Sequence, residues 1–100
     1  MTEINPETRD LLGLMSKASG ETPDDILSGS RRYPLPALRW MIADVLLQRG
    51  YSPDYAAWQV GIDRTTFIYG RKQLDLIESN AKQWYCANSI IARFRELISE

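Results

Sequence analysis

A short polar stretch at the start of a predicted helix has side chains that could bind a nucleic acid. It reads "DRTTFIYGRK", from Asp63 to Lys72. Arginine can bind a guanine edge with two hydrogen bonds, and threonine offers a hydroxyl group and a methyl group to bases. Aspartate can accept a hydrogen bond from the amino group of cytosine. The candidate base-contacting residues are Asp63, Arg64, Thr65 and Thr66, and the candidate phosphate-contacting residues further along the helix are Tyr69, Arg71 and Lys72.

The same residues also have simpler interpretations. Asp63 is a good helix N-cap whatever the function. Thr65 and Thr66 are acceptable first-turn residues, and Arg71 and Lys72 are typical of a solvated helix face. The stretch alone therefore leaves open whether it binds DNA or only begins a helix.

The surrounding sequence predicts a helix-turn-helix at about 53–78. "SPDYAAWQV" reads as a short helix that begins at Pro53, and "GID", residues 61–63, reads as a tight glycine-containing turn. In a helix-turn-helix, the first helix crosses the DNA backbone and the second presents its N-terminal residues to base edges in the major groove. This places the polar stretch where a DNA-binding protein needs it.

A basic loop precedes these helices. "SGSRRYPLP", residues 28–36, is expected to be extended because residues before prolines avoid the α conformation. Arg31 and Arg32 lie in this loop, and flexible basic arms of this kind can enter a minor groove. The alternatives are a solvated linker, or pairing of these arginines with acids of the first segment.

Cap and turn signals predict six helices, two of them short, in an all-α bundle. Helices are expected to begin at Asn5-Pro6, Thr22-Pro23, near Pro36, at Ser52-Pro53, at about Arg64 and after Asn80. We therefore predict a single compact helical domain over residues 1–100. Its apolar positions recur at helical spacing: Leu11, Leu12, Met15, Ala18, Leu38, Met41, Ile42, Val45, Leu46, Ala56, Ala57, Val60, Phe67 or Ile68, Leu74, Ile77, Trp84, Ile90, Ile91, Phe94, Leu97 and Ile98.

Composition argues against several other functions. The 100 residues are 44% hydrophobic and 25% charged, without an apolar run of membrane-spanning length or a secretory signal. There is no histidine, one cysteine (Cys86) and no phosphate-binding glycine-rich loop. We therefore expect a cytoplasmic protein that is not an enzyme and has no metal, no cofactor and no membrane partner.

Charge is distributed unevenly along the chain. The net charge is −1, but residues 1–27 have six acids against two bases, and residues 28–72 have seven bases against three acids. A segment of charge +4 inside a nearly neutral chain is a local electrostatic footprint of the kind that nucleic-acid-binding surfaces show. A solvated surface of mixed sign would also account for it.

Residues 25–74, about half of the chain, resemble the C-terminal DNA-binding domain of the bacterial replication initiator DnaA. The similar stretches are "DDILSGSRR", "PALRWMIADVLLQRG" and "SPDYAAWQVGIDRTTFIYGRK". The resemblance implies a helix-turn-helix related to the Trp repressor superfamily that recognises double-stranded DNA. It implies major-groove contacts by residues 63–66, a minor-groove contact by Arg31 and a phosphate contact by Arg39.

The chain also departs from that family pattern. "GID" stands where the family has Gly-Gly-Arg-Asp, and Arg64 and Tyr69 stand where the family has histidines. We also expect no ATPase domain, so that the chain would not act as an initiator by itself. A small regulator or replication accessory protein is the function that we expect. The alternative is a protein-interaction module that keeps the fold, using its acidic N-terminal segment or exposed tryptophans such as Trp40 and Trp58.

Overall fold

Helices form almost all of the ordered structure. The computed structural model describes residues 4–79 and 85–99, and these contain six α-helices and no β-strand. The prediction of an all-α bundle of about six helices is confirmed. The helices are α1 (Pro6–Ser19), α2 (Pro23–Leu27), α3 (Leu35–Gln48), α4 (Pro53–Gln59), α5 (Arg64–Ser79) and α6 (Tyr85–Ser99).

Three helices begin with the cap-and-proline pattern that the sequence predicts. The side chains of Asn5, Thr22 and Ser52 accept hydrogen bonds from backbone N–H groups three residues later, at 2.7, 3.1 and 3.1 Å. Each cap is followed by a proline at the first helical position, where the missing N–H has no intrahelical partner to lose. The predicted cap Asn80 lies outside the described residues.

Helix α3 is the centre of the bundle. It packs against α1, α2, α4, α5 and α6, and eleven of its fourteen residues are buried. A helix enclosed on all sides has no solvated face, so its apolar surface is wider than an amphipathic stripe. The predicted stripe of α3 was therefore too narrow, because Ala37, Trp40 and Ala43 are buried as well.

The expectation that Trp40 is exposed was wrong. Trp40 is only 7% exposed because its indole ring lies against Gly70 of α5, which has no side chain to exclude it. The ring of Tyr69 meets the indole edge to face, with centroids 6.0 Å apart and an interplanar angle of 83°. Trp58, in contrast, is 49% exposed.

The inner faces of α5 and α6 complete the core. Phe67 is fully buried whereas Ile68 is exposed, which decides between the two residues that the sequence left open. On α6, Ile91 and Phe94 are buried, and Trp84 lies outside the described residues. None of the helices in the described ranges has the length and apolar character that crossing a bilayer requires.

Candidate nucleic-acid interface

The turn between α4 and α5 is fixed by backbone hydrogen bonds around a glycine. Gly61 has a φ of 75°, and its N–H donates to the carbonyl of Trp58 at 3.1 Å. The N–H of Ile62 donates to the carbonyl of Ala57 at 3.0 Å. These two bonds form a Schellman motif, which uses the left-handed conformation that glycine adopts without strain. Gly61 thus ends α4 and turns the chain toward α5 in three residues.

Asp63 caps α5. Its Oδ1 accepts a hydrogen bond from the backbone N–H of Thr66 at 2.6 Å, and its carbonyl oxygen accepts from the N–H of Phe67 at 3.0 Å. The backbone hydrogen bond from Thr66, followed by that from the Thr66 hydroxyl, holds the pKa of Asp63 below its ordinary value. The Asp63 carboxylate therefore has a structural use at the start of this helix.

The first turn of α5 is open to solvent. Arg64, Thr65 and Thr66 are all exposed, and none of the six described helices covers them. The Arg64 side chain is 61% exposed, and its Nε lies 3.9 Å from Oδ1 of Asp54 on α4. An exposed ion pair at that distance is weak and is screened by salt. Arg64 is consequently able to exchange Asp54 for another anion.

Arg39 does not occupy the position that the resemblance implied. Only 5% of it is exposed, and its guanidinium donates to the carbonyls of Ile26 at 2.9 Å and Ser30 at 2.6 Å. Its burial lowers the pKa of this guanidinium. We therefore correct the predicted phosphate contact: Arg39 ties the basic loop to α3 from the inside.

The basic loop is ordered by its own short-range hydrogen bonds. The hydroxyls of Ser28 and Ser30 accept from the N–H groups of Ser30 and Arg32 at 3.2 and 3.1 Å. The carbonyl of Arg32 accepts from the N–H of Leu35 at 2.8 Å. The sequence predicted an extended and flexible arm. These bonds, together with the two hydrogen bonds from Arg39 to the carbonyls of Ile26 and Ser30 (the Arg39 clamp), make it a fixed loop instead.

The two loop arginines are in different electrostatic states. Arg31 is exposed and forms no hydrogen bond or ion pair with another described residue. Arg32 donates from Nη2 to Oε2 of Glu21 at 2.8 Å, and that hydrogen bond raises the pKa of Arg32. Pairing with an acid of the first segment, one of the alternatives from the sequence, thus holds for Arg32 but not for Arg31.

A groove of about 490 Å³ separates the basic loop from the start of α5. Arg31 lines one side of it, and Asp63, Thr66 and Tyr69 line the other. Trp40, whose ring contacts that of Tyr69, also lines it. Arg31 and the three residues at the start of α5, which follow it by 32 or more positions in the sequence, therefore line one groove.

Arg71 and Lys72 lie elsewhere. Both line a second groove, which is formed with the C-terminal half of α3. The Nε of Arg71 is 3.1 Å from Oδ1 of Asp44, whose Oδ2 accepts a hydrogen bond from the Gln48 amide at 2.7 Å. Lys72 is exposed, without an ion pair to another described residue. The structure thus separates these two bases from the arginine of the loop.

Sequence reasoning did not identify the individual carboxylates that pair with the candidate arginines. Glu21, Asp44 and Asp54 are the partners of Arg32, Arg71 and Arg64. Asp54 was visible only as a first-turn acid of α4. The Arg71–Asp44 pair joins residues 27 positions apart, for which the sequence offers no signal. Glu21 is one of the first-segment acids that the sequence offered as partners of the loop arginines, but the sequence did not single it out.

Sequence reasoning also missed a row of three aromatic side chains, Tyr51, Tyr55 and Trp58. The ring centroids of Tyr51 and Tyr55 are 5.2 Å apart in a stacked pair, and those of Tyr55 and Trp58 are 5.9 Å apart. The hydroxyl of Tyr51 donates to Oε1 of Glu7 at 2.9 Å, and that of Tyr55 accepts from the Asn5 amide at 3.0 Å. These bonds fix the two tyrosine rings beside the half-exposed indole of Trp58.

Comparisons with protein-family models, with curated proteins and with solved structures find no significant match to this chain. The resemblance to the DnaA C-terminal domain therefore stays a prediction. Within the described ranges, no three His, Cys, Asp or Glu side chains lie together as a metal site requires.

Proposed function

We propose that this protein binds double-stranded DNA in a sequence-specific manner through the first turn of α5, as a small regulator or replication accessory protein of the cytoplasm. Arg64, Thr65 and Thr66 read base edges in the major groove, and Arg31 reaches the adjacent minor groove. Asp63 keeps the helix start in place and is available to a cytosine amino group through its remaining acceptor capacity.

One observation supports this proposal above the others. Asp63 and Thr66 of the exposed polar turn of α5 line the same groove as Arg31, which forms no ion pair with another described residue. Both sides are held rigidly, one by the Schellman turn at Gly61 and the other by the Arg39 clamp. Fixed elements that need no ordering on binding lose less entropy when they engage a duplex.

The charges on this face allow DNA binding, but the number of available cations limits the affinity. Asp54 and Asp63 are the exposed acids on this face, and each already has a partner, Arg64 and the N–H of Thr66. Because Arg39 is buried and Arg71 faces α3, fewer cations are available than the sequence suggested. About four phosphate contacts would give a slope of log K against log salt near −3.6.

Selection of bound sequences from a random duplex pool is the direct test. We expect enrichment of a short site, followed by salt-dependent binding of that site in a titration. No enrichment, together with no duplex binding at low salt, would refute the proposal.

Two substitutions separate base reading from phosphate contact. We expect Arg64→Ala to weaken binding to the selected site by about 1–3 kcal/mol and to relax the preference at one base position. Lys72→Ala should weaken binding to all sequences alike and make the salt slope shallower by about one.

The matched control for these variants is Arg93→Ala. Arg93 is an exposed arginine of α6 that pairs with no other described residue. It should leave duplex binding unchanged at moderate salt. Equal losses in Arg64→Ala and Arg93→Ala would show that only overall charge matters, contrary to the proposed base contact.

A second candidate function is protein interaction, which the exposure of Trp58 beside Tyr55 favours. Tryptophan and tyrosine are enriched in protein interfaces relative to the rest of the protein surface. Trp58→Ala distinguishes the two functions: it removes the centre of such an interface and leaves Arg31 and Arg64 in place. Loss of a partner with retained duplex binding would assign Trp58 to an interface of its own.

A further inference from the structure

Glu21 is the partner of one of the two basic-loop arginines, and its position suggests a regulatory contact. It follows α1 in the turn before α2, where Ser19 Oγ accepts from its N–H at 3.1 Å. Its Oε2 lies 2.8 Å from Nη2 of Arg32. The Arg32 side chain is 57% exposed, so the pair is accessible to an incoming anion.

The loop does not need this pair to keep its shape. The serine hydroxyls at positions 28 and 30 fix the loop backbone, and the buried Arg39 binds the carbonyls of Ile26 and Ser30. The Glu21 carboxylate accepts a hydrogen bond from the guanidinium of Arg32 and takes no part in the hydrogen bonds that fix the loop backbone. Its effect is therefore on where one charged side chain points and on whether that charge is already neutralised.

We propose that Glu21 is an internal competitor of the DNA phosphates for Arg32. This inference rests on the proposed duplex binding. In the free protein Arg32 is paired with Glu21, and on the duplex it exchanges this carboxylate for a phosphate oxygen. No covalent bond changes in the exchange. Arg31, which has no ion-pair partner among the described residues, is available to the duplex at once, whereas Arg32 contributes only after it has left Glu21.

The exchange has two measurable consequences. An exposed ion pair is worth little, so removing the competitor should strengthen binding of the selected duplex by about 2- to 5-fold at low salt. The Glu21 carboxylate also loses its positively charged partner when Arg32 leaves. The cation that it then attracts from solution offsets part of the counterion release from DNA. The log–log salt slope of Glu21→Gln should therefore be steeper than that of the unmodified protein, by up to about one.

Asp24→Asn is the matched control for the experiment. Asp24 lies three positions from Glu21, is exposed and forms no ion pair with another described residue, and its change alters the net charge equally. Duplex binding is measured by anisotropy for the unmodified protein, Glu21→Gln, Asp24→Asn, Arg32→Ala and the double variant Glu21→Gln/Arg32→Ala. We expect a gain in Glu21→Gln and a smaller, general-charge gain in Asp24→Asn. In the Arg32→Ala background, Glu21→Gln should give only a gain as small as that of Asp24→Asn.

Each other outcome overturns the inference in a different way. Equal gains in Glu21→Gln and Asp24→Asn would mean that general charge, and not competition for Arg32, is responsible. Weaker binding by Glu21→Gln would mean that Glu21 positions Arg32 for DNA. Unchanged affinity in Glu21→Gln would overturn the inference and leave the proposed function intact, whereas no duplex binding by any of the proteins would overturn both.

Discussion

Gly70 offers a sharp test of how α5 is seated on the bundle. A Cβ at this position would lie 2.4 Å from both Cγ and Cδ1 of Trp40 and 2.7 Å from Cδ2. Carbon atoms in contact are separated by about 3.5–4.0 Å, so the Gly70→Ala variant must displace the indole by about 1 Å or more. Trp40 has little room for this because it is 7% exposed and Tyr69 packs against it.

The expected magnitude comes from two opposing effects. Replacing glycine by alanine inside a helix stabilises it by about 0.5–1 kcal/mol. Overpacking a close-packed core costs about 1–3 kcal/mol. Gly13 supplies the matched control, since it is exposed on α1 and a Cβ there meets no atom within 4 Å. The stabilisation of the helix by alanine is the same at both sites. Gly70→Ala should therefore be less stable than Gly13→Ala by about 1–3 kcal/mol, which is the cost of overpacking.

Equilibrium unfolding in urea measures this difference directly. The midpoint should fall in Gly70→Ala relative to Gly13→Ala at a similar m-value, because the change is in packing and not in the surface that unfolding exposes. Trp40→Leu in the Gly70→Ala background should remove much of the difference between alanine and glycine at position 70. Equal stability of Gly70→Ala and Gly13→Ala would refute the close approach of α5 to Trp40, and with it the geometry of the groove.

Two further predictions concern Arg39, which holds the basic loop, and Glu7, which pairs with Arg49 and Tyr51. Arg39→Met keeps an apolar stem but removes both hydrogen bonds, to the carbonyls of Ile26 in α2 and Ser30 in the basic loop, so we expect a loss of about 2–4 kcal/mol of unfolding free energy. The exposed Arg31→Met should change stability by less than about 0.5 kcal/mol, and similar losses in the two variants would contradict the clamp. Glu7 accepts hydrogen bonds from Arg49 and Tyr51, and the Arg49 bond first and the Tyr51 bond second hold the pKa of Glu7 below its ordinary value of 4.5. A lowered pKa means that Glu7 stabilises the fold above pH 4.5 and that this contribution is lost as the pH falls through the folded-state pKa. Glu7→Gln should thus be less stable than the unmodified protein at pH 7 and approach it in acid; a constant stability difference at all pH values would refute this assignment.

Local signals in the sequence determined most of the helix boundaries. The caps at Asn5, Thr22 and Ser52, the prolines after them and the turn glycine Gly61 act within a few residues, through hydrogen bonds and φ preferences that tertiary packing does not need to supply. The exposed first turn of α5 was predicted on the same basis, because a capped helix with polar residues at its start has little to bury.

Only the tertiary structure decided which of the charged and aromatic residues remain available to a ligand. Arg39 is buried against the carbonyls of Ile26 and Ser30, Arg32 is paired with Glu21 and Arg71 with Asp44, whereas Arg31 has no ion-pair partner in the part of the chain that the structure describes. Each outcome depends on which side chains from distant positions face each other across packed helices, and helical periodicity gives the direction of a side chain but not its partner. Trp40 shows the same principle: its burial depends on the absence of a side chain at position 70, thirty residues further along the chain.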